Sequence, residues 1–181
     1  MVTKLEMRDD RHAAERCVEA RMSEGSVIPG DGVAAISRGD LLVVVYSAAS
    51  TVERTRWAFE RAEDAVKRHP AGIIALMVVL ASSRPPDQAN RAQLEAGYKR
   101  MGSQLRLNIT VPEGNPFHRS VVRLVLNTAF MLSGRTASHR VVDNVQEAVR
   151  AVRAAASPAT PTDEQIMRDL AAVRAVLASG A

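Results

Sequence analysis

Cysteine, aromatic residues and long apolar runs are all scarce in this chain of 181 residues. A single cysteine, Cys17, excludes a disulfide within the chain. The longest strongly apolar run, residues 73–81, is far shorter than the roughly 20 residues that a membrane-spanning helix needs. The first residues are charged and lack the apolar core of a secretory signal. We therefore expect a cytoplasmic protein without a membrane span.

The charge balance gives no strong electrostatic signature. The chain has 24 Lys and Arg against 20 Asp and Glu, a formal net charge of +4, and the excess of basic residues is spread over predicted helix surfaces. Neither a basic run nor the interleaving of basic and aromatic residues used by single-strand binders is present. We expect no specific nucleic-acid partner. With 46% hydrophobic residues, the chain is expected to form one domain with short extensions.

Motifs for catalysis, metal binding and nucleotide binding are missing as well. Residues 25–30 have the glycine spacing of a phosphate loop, but Asp31 and Gly32 stand where Lys and Ser or Thr must reach the phosphates and magnesium. There is no Gly-x-Ser-x-Gly motif and no pair of cysteines for zinc, and the four histidines fall in different predicted elements. The sequence predicts no enzyme, no cofactor and no metal.

What the sequence does contain is a regular alternation of β-branched apolar runs and amphipathic stretches. Strands are predicted at residues 33–37, 41–46, 72–80, 105–111 and 140–142, and helices at 51–69, 85–103, 116–132 and 143–155. The third of these helices is apolar around most of its circumference and is expected to be the most buried. A further amphipathic helix is predicted at each end, at residues 9–22 and from residue 162, and residues 25–32 are predicted to form a loop.

This order, β-β-α-β-α-β-α-β-α, predicts an α/β fold around a mixed, mostly parallel sheet. Single helices between strands favour parallel pairing, and the opening hairpin adds one antiparallel edge. We expect three parts: residues 1–32 as an N-terminal helix and loop, 33–156 as the α/β domain, and 157–181 as a linker with a C-terminal amphipathic helix. Thr162 with Gln165, and Asp143 with Gln146, predict capping boxes at the starts of the last two helices.

Three stretches of this core resemble the STAS domain of bacterial anti-anti-sigma factors, in its divergent STAS/SEC14-like branch. They are Gly-Asp-Leu-Leu-Val-Val-Val-Tyr at 39–46, Gly-Ile-Ile-Ala-Leu-Met-Val-Val-Leu at 72–80 and Phe-His-Arg-Ser-Val-Val-Arg-Leu-Val-Leu at 117–126. Together with the element order, the resemblance covers residues 33–155. It implies a non-enzymatic bacterial signalling or scaffolding module that binds a partner protein or itself.

The resemblance also implies a switch, the phosphorylation of a serine at the start of the second core helix. The family sequence there is Asp-Ser-Ser-Gly, and the matching residues 81–84 are Ala-Ser-Ser-Arg, so Ser82 is the equivalent phosphoacceptor. The preceding acid is absent, and Arg84 replaces the glycine. Free amides and the helix dipole favour a phosphate near a helix N-terminus, but a serine before Pro-Pro-Asp is also ordinary loop or cap chemistry.

A second group of candidate residues lies where a predicted strand runs into the third helix. Open α/β sheets commonly bind ligands at the carboxyl ends of their strands, and His118, Arg119 and Arg123 are placed there to hold an anion. The alternative is a plain turn with solvated arginines. An enzymatic role requires an acid within about 3 Å of His118. Because SEC14-like relatives hold ligands beside the sheet, a small-molecule or lipid carrier is the alternative function.

The only tryptophan, Trp57, falls on the polar side of its predicted helix, beside Arg61. An exposed tryptophan indicates a partner-binding surface, and the competing explanation is that a terminal helix of the same chain covers it. The C-terminal helix has four apolar residues on one face that must dock on something: Ile166, Leu170, Val173 and Leu177. The flexible linker allows this helix to pack on its own domain or on a second chain.

Overall fold

The structure, a computed structural model, describes residues 24–84, 86–132, 134 and 138–180. The helix predicted at residues 9–22, with Cys17, lies outside the described residues. Six strands form one sheet in the order of the chain: β1 Val27–Gly30, β2 Val33–Arg38, β3 Leu41–Tyr46, β4 Ile73–Val79, β5 Leu105–Pro112 and β6 His139–Val141. The first two pairings are antiparallel and the other three are parallel. The predicted α/β fold with a mixed, mostly parallel sheet is confirmed.

Strand β1 lies in the segment predicted as a loop, so that prediction is wrong for residues 27–30. Val27 pairs with Ile36, and Gly30 pairs with Val33, in an antiparallel register. Pro29 and Gly30 disfavour a strand in the middle of a sheet. An edge strand tolerates both residues, because it needs ladder hydrogen bonds on one side only.

Five helices are present in the described part of the chain: α1 Val52–Arg68, α2 Gln88–Met101, α3 Pro116–Leu132, α4 Val145–Ala154 and α5 Asp163–Ser179. The capping box predicted at Thr162 and Gln165 is confirmed at the start of α5. The box predicted at Asp143 and Gln146 is wrong by one residue, because Asn144 is the cap of α4 and accepts from the Glu147 amide at 2.9 Å. None of these helices has the length and apolar character required to cross a bilayer.

The helices lie in two layers on opposite faces of the sheet. Alternate residues of a strand point to opposite faces, and β3 is buried on both. Leu42 and Val44 face the layer formed by α1, α2 and α3, whereas Val43 and Val45 face the layer formed by α4 and α5. The continuous apolar run of β3 in the sequence is therefore explained by cover on both sides.

The C-terminal helix α5 packs on its own domain. Three residues of its apolar row are at most 2% exposed against the side of the sheet formed by β1, β2 and β3: Ile166, Leu170 and Val173. Leu177 is half-buried at the end of the row. Asp169 accepts two hydrogen bonds from the Arg38 guanidinium of β2, both at 2.9 Å, and this pairing raises the pKa of Arg38. Of the two arrangements that the linker allows, the structure has the one within the chain.

Helix α3 departs from the expectation that it is the most buried helix. Its inner side is buried against the rest of the domain: Val122, Val125, Leu126, Ala129 and Phe130. Its outer side holds four of the five large apolar side chains that are exposed among the described residues: Phe117, Leu124, Met131 and Leu132. The expectation is wrong because α3 lies in an outer layer, where the sheet and α2 cover one side of the helix and no described residue covers the other.

Candidate functional site

The outer side of α3 forms one continuous surface along the helix. At about 100° per residue, seven residues make almost two turns, so Phe117, Leu124 and Met131 lie within about 20° of a common line. Their exposed fractions are 79%, 68% and 71%. We name this surface the α3 face, and its members are Phe117, Ser120, Val121, Leu124, Asn127, Thr128, Met131 and Leu132.

The α3 face carries no charged side chain. Its polar members are Ser120, Asn127 and Thr128, and helix α3 contains no acidic residue. The basic side chains of the helix, His118, Arg119 and Arg123, lie about 100–140° around the helix from Leu124. An ordinary surface helix turns its charged residues towards solvent. The α3 face has the opposite pattern, which is the depletion of charge typical of the centre of a protein–protein interface.

The amino end of α3 is fixed by hydrogen bonds to two loops. The His118 ring places Nδ1 2.8 Å from the Glu113 carbonyl oxygen and Nε2 2.7 Å from the Ser83 carbonyl oxygen. A neutral imidazole donates from one nitrogen only, so either tautomer donates to one of these two carbonyl oxygens. The Asn115 side chain accepts from the His118 amide at 2.8 Å. His118 thus ties α3 to the loops after β4 and β5, and backbone carbonyls occupy both of its ring nitrogens.

The body of α3 is held by a chain of aromatic contacts. Phe130 of α3 meets Tyr98 of α2 edge-on with ring centroids 5.0 Å apart, and Tyr98 meets Phe59 of α1 at 5.2 Å. The Tyr98 hydroxyl accepts a hydrogen bond from the Asn108 amide group of β5 at 3.0 Å, and burial raises the pKa of Tyr98. Because both the amino end and the body of the helix are fixed, the α3 face is a pre-formed surface.

A cleft of about 420 Å³ opens at the carboxyl end of β5, between the first turn of α4 and helix α5. Two arginines line it, Arg119 from α3 and Arg174 from α5. Arg174 is paired with the Glu113 carboxylate. Arg119 makes no side-chain hydrogen bond or ion pair with any residue that the structure describes. The cleft therefore offers one unpaired guanidinium in the region where open α/β sheets bind ligands.

The three residues predicted to hold an anion are not brought together. Arg119 lines the cleft, whereas the His118 ring is engaged with carbonyl oxygens and Arg123 pairs with Asp143 at 2.7 Å. The sequence analysis missed Arg174, because this residue comes from a helix far along the chain and no local pattern links it to β5. The packing of α5 on the sheet places it there.

Ser82 lies in the loop after β4, before the start of α2. Its side chain is exposed, and its hydroxyl donates to the Ser47 carbonyl at 2.5 Å. Helix α2 begins at Gln88, and its cap is Asp87, which accepts from the Asn90 amide at 2.8 Å. The capping role is thus filled by Asp87, and phosphorylation of Ser82 stays a prediction.

Trp57 is half-buried, and its ring packs against the edge strand β1. A Cβ atom built on Gly30 would lie 3.1 Å from a ring carbon of Trp57, so the ring is in close contact with the β1 backbone. The Arg61 guanidinium lies 5.5 Å from the centroid of the ring, as in a cation–π contact. Helix α5 packs on the opposite face of the sheet and does not cover Trp57. A partner surface around Trp57 stays a prediction.

Cavities between the sheet and the layer of α1, α2 and α3 are small. Two of them measure about 30 and 40 Å³. Pockets that hold a small molecule usually measure about 300–1,000 Å³. In the described ranges, no three His, Cys, Asp or Glu residues are grouped so that they could hold a metal ion.

Comparison with known proteins assigns no family to the chain. No family model matches it, and no curated protein matches it either. The resemblance to the STAS domain therefore stays a prediction. Among the described residues, the α3 face and the cleft at β5 are the features that support a function most directly.

Proposed function

We propose that this protein is an interaction module, of the signalling or scaffolding kind, that binds another protein chain through the α3 face. The observation that carries the proposal is an uncharged helix surface on which Phe117, Leu124 and Met131 are each more than two-thirds exposed. Contiguous exposed apolar surface of this kind marks interaction sites. The resemblance to the STAS domain supports the proposal, because it implies protein binding without catalysis.

The size of the α3 face fits this role. Its four large apolar side chains are 63–79% exposed, and they present roughly 400 Å² of apolar surface at about 100 Å² each. The largest apolar patch on a typical monomer measures about 300–600 Å² and is often functional. Covering it is favourable by about 25 cal/mol per Å², or ~10 kcal/mol before the costs of association are subtracted.

The rigidity of α3 also favours binding. Association is opposed by the ordering of side chains and backbone at an interface. Here the helix is already held by the contacts of the His118 ring with two backbone carbonyls and by the contact of Phe130 with Tyr98. A partner that docks on the α3 face therefore meets a surface whose backbone needs no rearrangement.

Photo-crosslinking in the host cell tests this proposal. A photo-reactive amino acid in place of Leu124 should give covalent adducts with protein, because this position is at the centre of the α3 face. The matched control is position 167 of α5, where Met167 is also an exposed apolar residue, at 44%. The substitution Met131→Lys should remove the adducts formed at position 124. Equal adducts at both positions, or adducts that survive Met131→Lys, would contradict the proposal.

A second function, the binding of a small anionic ligand, is favoured by the cleft at β5. The Arg119 guanidinium has no partner among the described residues, and the first turn of α4 forms part of the same wall. A guanidinium and the free amides of a helix N-terminus are both suited to an anion. The cavities of about 30 and 40 Å³ inside the domain give no support for a lipid carrier of the SEC14 type.

Calorimetric titration with pyrophosphate tests this second function. We expect binding that weakens by about 10-fold in Arg119→Gln, since a charge-assisted hydrogen bond is lost. The control is Arg100→Gln, because Arg100 lies on α2, pairs with Glu63 at 2.5 Å and is not part of the cleft. Absence of binding, or equal weakening by both substitutions, would exclude an anion site at Arg119.

A further inference from the structure

The α3 face has an internal symmetry that bears on the identity of its partner. Phe117 and Met131 are each seven residues from Leu124, on opposite sides of it, and the three side chains lie on one line. The polar residues Ser120 and Thr128 are likewise placed four residues on either side of Leu124. When two copies of such a helix pack antiparallel about Leu124, each position before Leu124 meets the position equally far after Leu124 in the other copy.

We propose that the occupant of the α3 face is a second copy of this chain, with the two α3 helices antiparallel and a two-fold axis passing between the Leu124 side chains. This inference rests on the proposed function and names its partner. A two-fold interface must be complementary to itself. In this arrangement, Leu124 meets Leu124 of the second copy, and Phe117 meets its Met131, which is a favourable contact between an aromatic ring and a thioether.

The area of the α3 face reaches what a dimer needs. Two copies bury roughly 800 Å² of large apolar side chains, and the four smaller members of the face raise the total to about 1,000 Å², the lower bound for a specific interface. The absence of charge matters as well, because a two-fold axis places identical residues near each other. Arg119 and Arg123 lie about 100–140° around the helix from Leu124, at the edges of the interface, and the charge of Arg123 is paired with Asp143.

Antiparallel packing is favoured over parallel packing by the helix dipoles, because the positive amino end of one α3 then lies beside the negative carboxyl end of the other. It is also favoured by the side chains. A parallel pair would set Phe117 against Phe117 and Met131 against Met131, whereas the antiparallel pair places one of each together at both ends.

Disulfide trapping tests both the partner and its orientation. Every variant is made in full-length protein with Cys17→Ser, so that only the introduced thiols react. Leu124→Cys should form a covalent dimer. A mixture of Phe117→Cys protein with Met131→Cys protein should form a covalent heterodimer, while each of these two proteins alone should not. Disulfides of each protein with itself, without the heterodimer, would show a parallel pair and overturn the proposed orientation.

Sedimentation of the proteins without introduced cysteines completes the test. We expect a dimer that Leu124→Lys weakens by about 30-fold or more, as for a central interface residue, and that Met167→Lys leaves intact. Circular dichroism confirms that both variants are folded. A wild-type protein that stays monomeric at about 100 μM and gives no trapped dimer would overturn the second copy as partner. Crosslinks from position 124 to other proteins would then keep the proposed function, and their absence would remove that as well.

Discussion

Helices α3 and α5 are both 17 residues long and both have apolar residues seven positions apart, but this row is buried on α5 and exposed on α3. On α5, Ile166 and Val173 are fully buried against the sheet. On α3, Phe117 and Met131 are 79% and 71% exposed. The two helices lie on opposite faces of the same sheet.

The difference arises from the number of apolar faces that each helix has. Helix α5 has one narrow row, and the sheet covers all of it. Helix α3 has an inner row that includes Val122 and Phe130, and a separate outer row centred on Leu124. A sheet buries one side of a helix only. An outer-layer helix that is apolar on two sides therefore keeps an exposed second face, and the central proposal for this protein is that a partner covers this face.

The largest effect that distinguishes the two helices is expected from truncation of their apolar rows. Ile166→Ala on α5 should lower the free energy of unfolding by about 2–5 kcal/mol, because it leaves a cavity in the core. Leu124→Ala on α3 should change it by about 0.5 kcal/mol or less in dilute monomer. Urea unfolding of both variants measures the difference. Similar losses in the two variants would contradict the contrast between the buried and the exposed row.

Alkaline unfolding tests whether the inner side of α3 is sealed. Burial raises the pKa of Tyr46 and of Tyr98, which contacts Phe130 of α3. Unfolded tyrosine ionises near pH 10, so above this pH the unfolded state loses protons that the folded state keeps. The free energy of unfolding then falls with rising pH by about 1.4 kcal/mol per pH unit for each tyrosine.

Urea unfolding at several pH values above about 10 measures this slope. The substitution Tyr46→Phe should halve the part of the slope that the two tyrosines contribute. The chain has two tyrosines, so tyrosinate absorbance reports on these side chains alone. The absorbance should rise only as the protein unfolds. Ionisation near pH 10 in protein that is still folded would show that water reaches the inner side of α3.

A smaller effect is expected from the polar contact that holds α5. Asp169→Asn removes the charge that faces Arg38, and Asp169 is 4% exposed. We expect the free energy of unfolding to fall by about 1–3 kcal/mol. This is less than for a fully buried pair, because the Arg38 side chain is 34% exposed. The matched control is Glu164→Gln on the same helix, whose exposed pair with Arg168 contributes about 0.5 kcal/mol or less. Equal losses would show that the Arg38 pair adds nothing to the docking of α5.

The smallest effect on stability is expected on the α3 face itself. Leu124→Gln should leave the free energy of unfolding of the monomer within about 0.5 kcal/mol of the wild type, because the side chain is 68% exposed. The same substitution should abolish the dependence of unfolding on protein concentration that a dimer produces. A concentration dependence that persists in Leu124→Gln would place the contact elsewhere.

Local sequence patterns predicted the elements that local chemistry controls. The β-branched run at residues 41–46 forms β3, and the capping box of Thr162 with Gln165 lies at the start of α5. Both predictions succeed because strand formation and helix capping depend on a few neighbouring residues. Strand β1 was missed, since the pattern of Pro29 and Gly30 does not show that the segment lies at an edge of the sheet.

The candidate sites depend on packing between distant segments, which periodicity does not supply. The spacing of Phe117, Leu124 and Met131 shows that they share a side of α3, but it does not show which side meets the sheet. Only the arrangement of layers reveals that no described residue covers this side. The cover of Trp57 by β1, and the position of Arg174 opposite β5, are likewise results of tertiary packing.

Methionine oxidation by hydrogen peroxide, followed residue by residue with mass spectrometry, tests the central claim most directly. Met131 of the α3 face is 71% exposed, Met167 of α5 is 44% exposed and Met101 is 2% exposed. In dilute protein we expect the rates to follow this order, because oxidation requires access to the sulfur. As the protein concentration rises, Met131 should become protected, whereas the rates of Met101 and Met167 should not change. Slow oxidation of Met131 in dilute protein, or a rate that does not change with concentration, would contradict an α3 face that is open in the monomer and covered by a second copy.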